Sequence, residues 1–334
     1  MGFRKKARKG SGLSTIADVA QLAGVSAITV SRYLNTSSMV SAATAEKIQK
    51  AIEVSGYVPN LLAGSLASVK NKLIAAVVPT ISNAIFLETI QSLDHELSQF
   101  GYQLMLGQSD YLSSREDELI SAIIGRRPAG IFLIGASHTA VARKQLKASG
   151  IPVVQAWDLT DNPIDCAIGF SHEKAGVEVA QYFKSKGMTH VAILTAVDDR
   201  AKSRCNGFLS VYQDAQVLEV SPPTSVEAGR LLMRRLNASA QKVDAIFCSS
   251  DLLALGVLIE ARLLGIAIPQ DLAVMGFADL SFSKDLEPAL TTVRIDGSKI
   301  GKLAAEYLMH ETISGNRNNT VIDVGFSIIK RVTS

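Results

Sequence analysis

The sequence is poor in the residues that crosslink chains or hold metals. Its 334 residues contain three cysteines, Cys166, Cys205 and Cys248, and five histidines. The cysteines are far apart with no Cys-x-x-Cys pair, and the histidines form no His-x-x-x-His pair. Neither a disulfide framework nor a zinc site is indicated, and the cysteines read as small buried apolar residues. Long hydrophobic runs are also missing. Mean hydropathy is +0.22, yet no apolar stretch reaches the roughly 18–20 residues that a membrane-spanning helix needs. The best candidate, residues 73–90, is broken by Pro79, Thr80, Ser82, Asn83 and Glu88. The N-terminus is basic but carries no apolar stretch of the signal-peptide kind. The expectation is a soluble cytoplasmic protein with no membrane partner. Phosphate-cradling and hydrolase signatures are absent too: there is no G-x-G-x-x-G, no G-x-x-x-x-G-K-[ST] and no G-x-S-x-G. No cofactor, no metal and no enzymatic activity is expected.

What is present supports a folded chain of two or three units. Hydrophobic residues make up 47% and charged residues 19%, enough apolar material for a large core. The net charge of +3 is unevenly spread. Residues 1–72 hold ten Lys and Arg against three Asp and Glu, a net of +7, which leaves −4 for the remainder. A basic head on a mildly acidic body points to a polyanion partner for the head alone. Within the head, residues 10–60 balance to zero, so the excess lies in the arm and beside residues 70–72.

Residues 1–13 read as a flexible basic arm. Thr15 and Asp18 fit a capping box, with Ile16, Val19, Ala20 and Ala23 following at helical spacing. Gly24 stands where a helix needs a left-handed residue to stop. Ser26 caps a second helix, with Val25 and Val30 as a hydrophobic staple. A third helix follows Ser41 and stops at Gly56, with Pro59 beyond. Two short helices across a tight turn, closed by a third, form a helix-turn-helix. Ala27, Ile28, Ser31 and Arg32 should face outward from the second helix, and Val30 and Leu34 inward. Arg32 has the donors for a guanine edge. Ala27 and Ile28 offer only apolar contact, and the Ser26, Thr29 and Ser31 hydroxyls suit phosphate oxygens. The alternative is a plain three-helix bundle with Arg32 as a surface charge. Residues 60–68 have the makings of two helical turns, too short to persist alone.

From Lys72 onward, short apolar runs alternate with amphipathic stretches. The runs are 74–78, 102–107, 130–135, 152–155, 167–170, 191–195, 245–249 and 273–277; helical patterns include 86–100, 173–186, 227–236 and 252–264. This alternation predicts an α/β body with parallel sheets, and some 260 residues suggest two lobes. Ligands of such sheets bind beyond the strand carboxyl ends. Those ends carry residues 80–86, Ser137-His138, Trp157-Asp158, residues 196–204, Ser250-Asp251 and Ala278-Asp279, a polar set suited to a small polyhydroxy ligand.

The pattern Thr15-Ile16-Ala17-Asp18-Val19-Ala20, Ala23-Gly24-Val25-Ser26 and Thr29-Val30-Ser31-Arg32 resembles the headpiece of the lac and gal repressor family. Val40-Ser41, Thr44, Gly56-Tyr57-Val58-Pro59-Asn60 and Leu66-Ala67 continue it in register. The resemblance implies DNA contacts at Thr15, Ser26, Ala27, Ile28, Thr29, Ser31, Arg32, Asn35, Ser41, Thr44, Tyr57 and Asn60. It also implies a hinge helix that pairs across a dimer axis, with Leu66 wedging into the minor groove and Ala63 one turn before it. Further on, Phe170-Ser171-His172-Glu173, Ser203-Arg204 with Gly207-Phe208, Ser250-Asp251, Gly276-Phe277 and Leu290-Thr291-Thr292 match family landmarks. The implied body is two-lobed and similar to periplasmic sugar-binding proteins. The implied effector site comprises Asn83, Phe86, His138, Trp157, Asp158, Arg204, Ser250, Asp251 and Asp279.

Single residues keep second readings: His138 as a satisfied loop histidine, Trp157 as lobe packing. Ala278 stands where sugar-binding members usually have an aspartate. That departure speaks against a neutral hexose held in the usual way; Gly101-Tyr102-Gln103 with Met105-Leu106, Ser137-His138-Thr139 and Asp323-Val324-Gly325-Phe326 look most similar to gluconate-responsive regulators of the family. Arg204 would grip a carboxylate through two hydrogen bonds. The implied organisation is an arm at 1–13, a head at 14–58 and a hinge at 59–71. The body follows at 72–334, with lobe 1 at 72–170 plus 298–318 and lobe 2 at 171–297 plus 319–331. The implied protein is a homodimeric transcription regulator, most simply a repressor, whose grip on a near-palindromic operator is set by a sugar acid. Alternatives are an unregulated ligand-binding module or a sugar-acid enzyme of α/β fold.

Overall fold

The computed structural model describes residues 14–58, 71–82, 84–239, 241–314 and 319–334. The chain divides into two compact units, residues 1–71 and 72–334.

In the first unit three helices, α1 (Ile16–Ala23), α2 (Ala27–Asn35) and α3 (Ala42–Ser55), surround a small core. The Thr15 and Asp18 side chains cap α1 reciprocally, and Gly24 ends it in the left-handed conformation at φ 66°. Ser26 caps α2 by accepting from the Thr29 N–H at 3.1 Å. Val19, Ala20, Val30, Ile48 and Ala51 fill the interior, with Val25, Leu34 and Tyr57 packed against them. Fully burying one such side chain contributes about 1.5–3 kcal/mol, and Val30 is fully buried.

The second unit contains two six-stranded sheets. Its elements in chain order are β1 (Leu73–Val78), α4 (Leu87–Gln99), β2 (Gln103–Gln108), α5 (Ser113–Gly125), β3 (Gly130–Ile134), α6 (Ala140–Ser149), β4 (Val153–Ala156) and β5 (Cys166–Gly169). There follow α7 (His172–Ser185), β6 (Val191–Ala196), α8 (Asp199–Leu209), β7 (Gln216–Val220), α9 (Val226–Asn237), β8 (Ala245–Cys248), α10 (Asp251–Leu263) and β9 (Ala273–Phe277). Last come β10 (Thr291–Arg294), α11 (Gly297–Ser314), β11 (Thr320–Asp323) and β12 (Ser327–Ile329).

The first sheet runs β11-β5-β4-β3-β1-β2, and the second β12-β10-β9-β8-β6-β7. All pairings are parallel except β10 with β12. Central strands such as β3, β4, β6, β8 and β9 are buried along their whole length, which is why they read as unbroken apolar runs. Edge strands alternate between half-buried and exposed residues, as in β7 and β11.

The chain passes between lobes after β5, after β10 and after β11. The sequence pattern places residues 319–331 wholly in the second lobe, and this needs correction. Thr320–Asp323 pairs in parallel with Cys166–Gly169 in the first sheet, and only β12 joins the second. A four-residue edge strand with Val321 exposed carries no signal of its partner; that is decided by where α11 delivers it. Between the lobes runs an aromatic seam, with Phe86, Trp157, Phe170 and Phe277 in successive ring contact at 5.2, 6.2 and 6.1 Å.

Candidate functional sites

The head presents a concave surface lined by Ala27, Ile28, Ser31 and Arg32 of α2 with Ile16, Thr36 and Met39. Ile28 is 67% exposed and Met39 74%, a large apolar exposure for so small a unit. Three hydroxyl-bearing pairs stand at the starts of the three helices. The Thr15 hydroxyl donates to Asp18 Oδ2 at 2.7 Å, and the Ser26–Thr29 and Ser41–Thr44 hydroxyls each meet at 2.9 Å. Helix N-termini ringed with hydroxyls favour phosphate oxygens. Tyr57 is half-buried behind α3. Sequence reasoning overlooked Met39; a large apolar residue in a connecting turn was the available signal. The backbone of Asn35 ends α2, and its side chain lies outside the described residues, as do Asn60, Ala63, Leu66 and the arm.

In the body a cleft opens between the lobes at the carboxyl ends of the strands. The strand orders β2-β1-β3 and β7-β6-β8 each reverse direction beside β1 and β6, the positions where open parallel sheets leave a crevice. The inner cavity, about 450 Å³ including the space where it opens to solvent, has Phe86, Tyr111, Trp157, His172, Arg200 and Arg204 among its lining residues.

Arg204 is its centre. The residue is 5% exposed, and its guanidinium lies 4.0 Å from the Phe277 ring centroid. One terminal nitrogen donates to His172 Nδ1 at 2.8 Å and the other to the Ser249 carbonyl at 3.3 Å. Its Nε is buried without a partner, and among the described residues no carboxylate lies within 4.0 Å of the guanidinium. Burial draws its pKa down to about 10, so the group is still a cation at neutral pH. A buried cation lacking a counter-ion is costly unless a ligand supplies one.

Glycines put this arginine there. α7 and α8 pack against each other. A Cβ on Gly176 would fall 2.0 Å from the Arg204 carbonyl oxygen, and one on Gly207 would fall 2.0 Å from that of Glu173. Only bare backbone lets the helices approach so closely, and the approach sets His172 at the start of α7 against Arg204 in α8. The ring's Nε2 donates to the Trp157 carbonyl at 2.8 Å. Burial first, then Arg204 and Arg200, hold the His172 pKa well below its ordinary value. It is a neutral imidazole with Nδ1 accepting.

Asp158 borders the cleft with its carboxylate 21% exposed. Burial raises its pKa to about 6, opposed by Arg200 and by the Ala136 backbone N–H. Non-glycine residues with positive φ gather at these strand ends: Asp110 and Tyr111 after β2, Trp157 after β4, Ala278 and Asp279 after β9. Each such position costs of order 1–3 kcal/mol, and such strain concentrates at ligand clamps.

The structure distributes the expected effector residues unevenly. Phe86, Trp157, Arg204 and Ser250 line the inner cavity, and Asp158 the chamber outside it. Trp157 is 2% exposed and its Nε1 donates to Thr89 Oγ1 at 3.0 Å, so the indole is packed among its neighbours at the cavity wall. Ser250 caps α10 and donates to Thr224.

Asp251, Asp279 and His138 do not line the cleft, and here the expectation is corrected. Asp251 is fully buried and accepts from the Leu280 N–H and the Ser283 and Thr292 hydroxyls at 2.7, 2.7 and 2.6 Å. Gly276 makes the room, since a Cβ there would fall 2.1 Å from Asp251 Oδ1. Asp279 is held by Arg331 at 2.7 Å and Arg294 at 3.5 Å. The His138 side chain is 1% exposed with Nδ1 on Glu116 at 2.7 Å. Asn83 lies outside the described residues. Missed by sequence reasoning were Tyr111, His172, Asp198 and Arg200. The last two stood within the strand-end stretch 196–204, and His172 within a recognised motif, so proximity was legible but not direction.

Among the described residues, no group of three or more His, Cys, Asp or Glu side chains is placed to hold a metal, and no helix is long and apolar enough to cross a membrane. All three cysteines are free and buried.

Comparison with known proteins follows this division. Residues 15–60 match the bacterial regulatory proteins of the lacI family, and residues 180–334 a periplasmic binding protein-like domain. The HTH-type transcriptional regulator GntR of Pseudomonas aeruginosa is 34% identical over 329 residues, 96% of either chain. The chain belongs to the lacI family. It is a DNA-binding transcriptional regulator with an effector-binding body, not an enzyme. Among lacI-family relatives, GntR of Escherichia coli is 29% identical over 93% of this chain and 96% of that one. A Silicibacter pomeroyi lacI-family regulator has a TM-score of 0.88 at 30% identity, covering 96% and 99%. The lac repressor dimer bound to operator shares the fold, with a TM-score of 0.77 at 23% identity over 96% and 99%.

Proposed function

We propose that this regulator binds a near-palindromic operator as a homodimer, under the control of a sugar acid such as gluconate held between the body's lobes. The arm (1–13), head (14–58), hinge (59–71) and body (72–334) divide the work. The arm supplies attraction to phosphates and α2 reads bases, with Arg32 on a guanine and Ala27 and Ile28 on thymine methyls. Thr15, Ser26, Thr29, Ser31, Asn35, Ser41, Thr44, Tyr57 and Asn60 hold the backbone. Ala63 and Leu66 work at the operator centre. Cytoplasmic residence follows from this role.

One observation carries the effector reading: the buried Arg204 guanidinium has a free Nε and no carboxylate partner. A ligand carboxylate supplies the missing charge and acceptor beside a buried guanidinium. The similarity to regulators named GntR and IdnR supports the same class. Phe86, Trp157, Asp158 and Ser250 shape the rest together with Asn83, while His138, Asp251 and Asp279 act at most through neighbours. A carboxylate between the lobes favours one lobe arrangement over another, and operator affinity changes only to the extent that the two arrangements differ in ligand affinity.

A thermal-shift panel tests the effector. Gluconate is expected to raise the Tm, with no effect from glucose or a purine. Stabilisation by a neutral sugar or a purine alone overturns the reading. Arg204→Lys keeps the charge but loses the planar fork, and is expected to weaken gluconate binding by about a hundredfold. For DNA, equal affinity for operator and scrambled duplex at one salt concentration would overturn base reading.

A further inference from the structure

The inner cavity continues into a wider outer chamber of about 1170 Å³, open to solvent. The two share Tyr111, Asp198, Arg200 and Pro222 as a neck. Their walls differ in charge. The inner cavity holds Arg204, whose Nε is free and which has no carboxylate partner among the described residues. The outer wall carries five carboxylates, Asp110, Glu116, Asp158, Asp198 and Asp199, against one arginine, Arg200.

Arg200 stands beside one of these carboxylates and over an aromatic ring. Its Nε lies 3.8 Å from Asp198 Oδ1 and its guanidinium 5.2 Å over the Phe86 ring. Nearby Arg115 is held on Asp110. The N-terminus of α8 opens onto this chamber, and such an end attracts anions. Here Asp198 caps it, accepting from the Ala201 N–H at 3.2 Å, and Asp199 occupies the first turn. The positive end of the helix is thus neutralised by the chain itself. Serine hydroxyls from Ser113, Ser137 and Ser221 complete the wall. Carboxylates and hydroxyls accept hydrogen bonds from sugar hydroxyls and repel a further anion.

We propose that this chamber makes the regulator selective for a sugar acid whose far end is an uncharged polyol, and that it rejects one ending in phosphate. The proposal rests on the sugar-acid reading above. With the carboxylate on Arg204, the remainder of the ligand leads through the neck past Tyr111 and Arg200. A terminal hydroxyl meets acceptors there. A terminal phosphate meets five carboxylates, of which Arg115 pairs only with Asp110, against the single arginine Arg200. Rejection by like charge is a common source of ligand specificity.

Titration calorimetry on the intact protein with gluconate and with 6-phosphogluconate, at pH 7.5 and fixed ionic strength, tests this. Gluconate is expected to bind at least about tenfold more tightly, with the ratio shrinking as salt is raised. Asp198→Asn combined with Asp199→Asn should narrow the ratio, since the amide oxygen at 198 still caps α8 while both charges go. Asp199→Asn alone, at an exposed position, gives the same direction should the double variant fold poorly. Equal or tighter binding of the phosphorylated acid by the unaltered protein overturns the selectivity and leaves the sugar-acid reading standing. Binding of neither acid, with a neutral sugar bound instead, overturns the sugar-acid reading itself.

Discussion

His172 Nδ1 accepts a hydrogen bond from the Arg204 guanidinium at 2.8 Å. The ring has no second choice of role, because its Nε2 is spent on the Trp157 carbonyl. A histidine at the start of one helix therefore aims an arginine in the next. Its neutrality follows from burial beside two arginines.

The first prediction concerns that ring. In the folded protein His172 stays neutral, in one tautomer, as pH falls through the ordinary histidine range, as imidazole nitrogen shifts will show. An unfolded histidine takes up a proton near its ordinary value of about 6.5. The unfolded state then binds more protons than the native state, so this group removes stability as pH falls below that value. Titration of the folded ring near pH 6.5 contradicts the assignment.

Asp158 acts in the opposite sense. Its folded pKa is raised to about 6, so its stabilising contribution is complete below its unfolded value and is lost as pH rises through 6. Replacing it by asparagine removes a poorly solvated charge. Asp158→Asn should gain up to about 2–3 kcal/mol at pH 8 and almost nothing at pH 4. Thermal or urea melts at the two pH values measure this. A loss of stability at pH 8 would show that the charge is compensated after all.

Asp251 separates structure from recognition. Three donors converge on its buried carboxylate, tying α10 to β10 and to the turn after β9. Asp251→Ala leaves those donors unsatisfied and should cost about 3–5 kcal/mol. The protein that remains folded should keep its gluconate-induced Tm rise. Unchanged stability with lost ligand binding would return Asp251 to the site.

On the head, Arg32 is exposed at the rim of the concave face beside Ile28. Arg32→Ala is expected to cost about 1–3 kcal/mol in operator binding and to relax discrimination at one base pair. Removing a lysine from the arm should weaken operator and scrambled duplex alike and flatten the salt dependence. A uniform loss on Arg32→Ala, with discrimination intact, would make it a phosphate contact.

The sequence alone determined the head almost completely. Capping at Thr15 and Ser26, the left-handed stops at Gly24 and Gly56, and inward Val30 against outward Ile28 are local choices. Local propensity and helical period decide them within a few residues. The alternation of buried strands and helices was legible for the same reason.

Which lobe receives β11, and which strand-end groups face the cleft, depended on tertiary structure. Asp251 and Asp158 both follow short buried strands as aspartates. One is enclosed because Gly276 leaves it room among three donors, while the other stays at the cleft. Arg204 meets His172 only because two glycines, thirty-one positions apart, let their helices touch. Contacts across such separations depend on how whole elements pack, and no local pattern encodes the direction in which a side chain then points.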